Sequence, residues 1–75
     1  SGGTPMHDAG WNDGQDIVRV LHEFDSGLIR LKDIDGNTAM HLAAQSGHVI
    51  TIRIFHEIDP GVTRITNDKS ETALH

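Results

Sequence analysis

The chain repeats itself. A shift of 34 positions lays Thr4 on Thr38, Met6 on Met40, His7 on His41 and Ala9 on Ala43. Further along, Arg19 meets Arg53, His22 meets His56, Glu23 meets Glu57, Asp25 meets Asp59, Gly27 meets Gly61 and Arg30 meets Arg64. Thr38, Ala39 and His41 find counterparts in turn at Thr72, Ala73 and His75. Periods of about 20 to 50 residues mark architectures in which similar units stack and bury each other's apolar flanks. That constrains this chain more than any other feature. It has 75 residues and no cysteine, so neither a disulfide nor a thiolate-held zinc can staple a core that is marginal at this size. Contact between units must do the holding.

Each unit reads as turn, helix, short loop, helix and extended return. Thr4 is a good N-cap, and Pro5 follows at the first helical position, where a missing N–H costs nothing. Thr38 takes the same place ahead of "AMHLAAQ". Ala43 and Ala44 combine helix propensity with little bulk, which lets a second helix approach closely. "NDG" and "SGH" interrupt the pattern. Apolar residues then recur at spacings of three and four, which predicts one apolar stripe per second helix. They are Ile17, Val18, Val20, Leu21 and Phe24 in one unit, and Val49, Ile52, Ile54, Phe55 and Ile58 in the other. "DSG" and "DPG" close these helices, with Gly27 and Gly61 expected as left-handed caps.

These segments carry a family resemblance. "TPMHDAG", "TAMHLAAQSGH" and "TALH" resemble the signature of the ankyrin repeat, Thr-Pro-Leu-His followed by small residues, and "DGNT" resembles the turn that precedes it. The resemblance implies an all-α solenoid of helix-turn-helix units joined by short β-turn or hairpin loops. It covers one unit at 4–37, a second at 38–71 and the start of a third at 72–75, while the opening 1–3 reads as a leftover of recombinant expression. Units of 34 are one residue longer than the family's usual 33. The extra residue is placed most easily at Ser26 and Pro60.

Two metal readings compete with this frame. "DIDGNT" begins like a calcium loop, yet a twelve-residue loop counted from Asp33 would need glycine at Thr38 and a bidentate glutamate at Ala44. The Asp35-Gly36 pair reads instead as a tight turn, with glycine supplying positive φ. Six histidines raise a zinc hypothesis. His7, His41 and His75 would align on stacked helices, but helices pack about 8–10 Å apart and zinc holds nitrogen at about 2.0–2.1 Å. Their expected role is to tie turn to helix by local hydrogen bonds. His22 and His56 are expected to rest a ring edge on the core, with a pH-sensing pair as the rival. His48 matches the family's inter-helix Gly-His. No metal and no cofactor is expected.

Charge and motif narrow the function. Eleven acidic against six basic residues give a net charge of −5, contrary to the clustered cations that nucleic-acid binders use. No run of about 20 apolar residues exists to span a membrane. No phosphate loop, HExxH or nucleophile elbow occurs. No pair of carboxylates reads as held across a cleft for acid–base work, so catalysis is not expected.

The resemblance instead implies a protein-binding module whose concave face is built from turn tips and the ends of first helices. Carried over by motif, that face comprises Trp11 and Asn12, then Ile34, Asp35 and Asn37, then Gln45 and Ser46, and finally Asp68, Lys69 and Glu71. Trp11 has two readings, an interface anchor or an inward-folded cap of the first unit. Asp8, standing where the second unit has Leu42, suits an end unit whose outer side meets water. The resemblance also implies an intracellular setting, and a scaffold or targeting segment of a larger enzyme, channel or effector is the alternative role. Because about three stacked units are the usual minimum, the chain is expected to be part of a longer array or to self-associate through its C-terminal face.

Overall fold

The computed structural model describes residues 3–73. Ser1 and Gly2 of the expected leftover, and Leu74 and His75 of the expected third unit, lie outside the described residues. Two helical pairs follow one another: α1 (Pro5–Trp11) with α2 (Gln15–Phe24), and α3 (Ala39–Gln45) with α4 (Val49–Ile58). Each pair runs into a 3₁₀ turn, Leu28–Arg30 and Pro60–Arg64. Among the described residues there is no strand. The architecture is the all-α repeat the sequence implies.

Capping explains where the first helices start. The Thr4 hydroxyl accepts the His7 N–H, and the His7 ring accepts the Thr4 N–H in return. Thr38 and His41 repeat this box at the head of α3. Two orphan amides are satisfied at each start, and Pro5 supplies a helical φ where its absent N–H is not missed.

Stacking then buries what the caps have placed. α1 packs on α3 and α2 on α4. Met6, Val18, Ile29, Met40, Phe55 and Val62 are buried at the shared core, with Ala9, Ala39 and Ala43 filling the narrow gaps. α1 and α3 approach closely at Gly10, where a Cβ would strike the Ala39 carbonyl oxygen.

Two sequence expectations need correction. The glycines after the second helices are not left-handed caps: Gly27 has φ −78° and Gly61 lies inside the second 3₁₀ turn. Asp25 and Asp59 end the helices in extended conformations, at φ −151° and −145°. The aspartate breaks the helix, and the 3₁₀ turn follows it. The apolar stripe of α2 is also only partly internal. Val18 is fully buried and Leu21 half-buried, but Ile17, Val20 and Phe24 are exposed. They lie outside the contact of α2 with α4.

Candidate partner-binding surface

Two turns frame the surface. In the first, Asp33 Oδ1 accepts the N–H groups of Asp35 and Asn37, while the Asp33 N–H donates to the Asn37 carbonyl. Gly36 takes φ +76° at the corner, where the carboxyl of Asp68 also leaves no room for a Cβ. In the second turn, Asn67 Oδ1 accepts from Lys69 and Glu71, and the Asn67 N–H donates to the Glu71 carbonyl. The turns are cross-linked. The Asp68 N–H reaches the Asp35 carbonyl at 3.3 Å, and Asn67 Nδ2 reaches Asn37 Oδ1 at 3.0 Å. Both tips are therefore held as one edge.

That edge and the end of α3 enclose an open cleft of about 290 Å³, lined by Asp35, Gln45, Asp68, Lys69 and Glu71 together with Asn37 and Asn67. Six residues proposed from sequence, drawn from three separate segments, converge there. The carboxylates of Asp35, Asp68 and Glu71 outnumber the single ammonium of Lys69, so the cleft is acidic. Glu71 Oε1 also accepts from Asn67 Nδ2, which fixes its direction.

The other proposed residues fare differently. Ile34 stands on the tip at 71% exposure, outside the cleft lining. Ser46 is half-buried, and its hydroxyl donates to the Leu42 carbonyl at 2.8 Å, so its polar group closes α3. Asn37 lines the cleft floor and is otherwise buried. Its carbonyl accepts from His7 Nε2 and its amide oxygen from Asn67, so it also acts as a strut.

Trp11 is half-exposed at the end of α1, not folded inward. Its carbonyl accepts from His48 Nε2 at 2.9 Å, and Asn12 beside it is exposed with its side-chain amide on the Asp8 carbonyl. Nearby, the Thr51 hydroxyl donates to Asp13 Oδ1 at 2.5 Å. That bond, with a second from Gln15, holds the Asp13 carboxyl below the usual range. Asn67 and the Asp13–Thr51 pair were missed by sequence reasoning. Only Asn67 had left a signal, through its alignment with Asp33.

The histidines are structural where they were expected to be. A carbonyl only accepts, so His7 Nε2 must donate to Asn37; a backbone amide only donates, so His7 Nδ1 must accept from Thr4. His41 repeats both contacts, to Glu71 and Thr38. Each ring thus joins its own helix cap to the turn of the next unit. Among the described residues no three His, Asp or Glu side chains gather in a way that could hold a metal, and no helix is long and apolar enough to cross a membrane.

A family model described as ankyrin repeats, in three copies, matches residues 6–75. The chain belongs to the ankyrin-repeat family. No curated protein gives a significant match. Ankyrin repeats generally mediate protein–protein contacts and are typically non-catalytic. In ankyrin terms, the cross-linked turns are the fingers of this chain, and the cleft lies where they meet the first helix of the second pair.

Proposed function

We propose that this ankyrin-repeat chain is a non-catalytic binding module for a protein segment that is basic or neutral. It grips that segment in the cleft between the two turns and α3. The carrying observation is the convergence of Asp35, Gln45, Asp68, Lys69 and Glu71 on one acidic, solvent-open cleft. Ile34 on the turn tip and Trp11 at the end of α1 add exposed apolar side chains outside the cleft lining. Acidic lining selects partners by charge and speeds encounter more than it adds raw affinity. The exposed apolar side chains supply the desolvated contacts that dominate interface energies.

The test is a binding screen against a library of basic and acidic peptides, comparing the native chain with Asp35→Lys/Asp68→Lys. Retention of basic peptides by the native chain alone supports the reading. Equal retention by both chains removes the cleft from consideration.

A further inference from the structure

Two faces outside the cleft are apolar and uncovered, and they match. The first is the outer side of α2, where Ile17, Val20 and Phe24 are 56%, 47% and 83% exposed. One period later, the counterparts are Thr51, Ile54 and Ile58. There they are buried, 6% exposed and half-buried, on the helix that stacks against α2. The second face is the far side of α4. It forms a groove of about 320 Å³ lined by Met40, Ile52, Arg53, His56, Glu57 and Thr63. Val18 and His22, the counterparts of Ile52 and His56, are covered by α4: Val18 is fully buried and His22 has a buried Nδ1. Equivalent residues are thus buried at the junction inside the chain and open at its two flanks.

We infer that these two faces dock on one another between copies of this chain, so that it self-associates head to tail through α2 of one copy on α4 of the next. The intrachain junction supplies the template, and charge supplies the register. Inside the chain Arg19 pairs with Glu57 at 3.4 Å, and Arg30 holds Asp59 at 2.5 and 2.7 Å. Shifted by one unit, these pairs become Arg53 with Glu23 of the second copy and Arg64 with Asp25 of the second copy, all four exposed. The Asp13–Thr51 bond becomes Ile17 over Gly47, beside which the chain leaves open space. In the same register, Thr4 and Pro5 of the second copy take the place held by Thr72 and Ala73, so docking displaces that short segment. Such an interface is heterologous and open-ended, and it grows into chains of copies instead of closing as a two-fold dimer.

Sedimentation velocity across a concentration series tests it, with Phe24→Asp blocking one face and His56→Asp the other. Both residues are exposed, so neither change loads the core. The native chain is expected to grow beyond a dimer with concentration, and each variant alone to stay monomeric. An equimolar mixture of the two, which retains one intact face on each partner, is expected to stop at dimers. Ile34→Asp, on the turn tip, should associate like the native chain. A native chain that stays monomeric at every concentration overturns the inference. So does an associating native chain whose two face variants fail to pair when mixed.

Discussion

His7 Nε2 lies 2.8 Å from the carbonyl oxygen of Asn37, and that contact couples the start of one helical pair to the turn that begins the next. His41 repeats it on Glu71 at 2.9 Å. Each imidazole is buried and bonded at both nitrogens, so truncation orphans a buried amide and a carbonyl and opens a cavity. His41→Ala should destabilise the fold by about 2–3 kcal/mol, at the upper end of ordinary hydrogen-bond losses. Urea unfolding monitored by far-UV circular dichroism measures this. A loss below that of an exposed control such as Lys69→Ala would deny the coupling.

Acid should weaken the junction between units. The two hydrogen bonds from Arg30 hold the Asp59 carboxyl below the usual range, and the Thr51 hydroxyl does the same for Asp13. A depressed folded-state value means the unfolded chain takes up protons first as pH falls. The stabilisation is therefore complete above about pH 4 and is lost as pH drops through the folded values. Asp59→Asn should flatten this acid limb. Because Arg30 is half-exposed, added salt should flatten it too. Urea midpoints from neutral pH down to pH 2, at low and high salt, give the comparison.

Gly10 tests the packing of α1 on α3. In an exposed helix, replacing glycine by alanine gains up to about 1 kcal/mol. Here the added methyl meets the Ala39 carbonyl oxygen, and overpacking of this kind costs about 1–3 kcal/mol. The collision wins, so Gly10→Ala should lower stability. A gain in the urea midpoint would mean that the two helices separate freely.

Ser70 occupies the corner that Gly36 takes one period earlier, at φ +60° against +76°. A residue with a Cβ is strained there by about 1–2 kcal/mol, part of which glycine gives back through the entropy of the unfolded chain. Ser70→Gly should raise stability by up to about 1 kcal/mol, visible as a higher thermal midpoint.

How much of this was legible depended on whether a feature is local. The Thr4–His7 and Thr38–His41 boxes and the Gly36 corner were readable because type and spacing alone define them. The Gly27 cap was misread, since "DSG" fits a left-handed glycine and an extended aspartate followed by a 3₁₀ turn equally well. Asn37 reads from sequence as a tip residue only, because its burial comes from His7 and Asn67, each thirty residues away. Ile17, Val20 and Phe24 matched the stacking pattern in register, yet the pattern is silent on whether a neighbour is there. The cleft's lining was foreseen at Asp35, Asn37, Gln45, Asp68, Lys69 and Glu71 but not at Asn67. Its closure by the bond between the Asp68 amide and the Asp35 carbonyl was not, because backbone contacts between turns leave no mark in residue identity.

Trp11 offers the last prediction and a built-in reporter, since it is the only tryptophan. Half its surface is exposed, and the hydrogen bond it contributes to the fold comes from its carbonyl, which any residue would supply. Trp11→Ala should therefore keep the helical circular dichroism and shift stability by less than about 1 kcal/mol. Affinity for a peptide that binds the native chain should fall far more steeply, as truncating a buried aromatic anchor commonly does. In the native chain, peptide binding should shift Trp11 emission to the blue and protect it from iodide quenching. If emission stays unchanged while a peptide occupies the acidic cleft, the contact surface ends at the turns and Trp11 lies outside it.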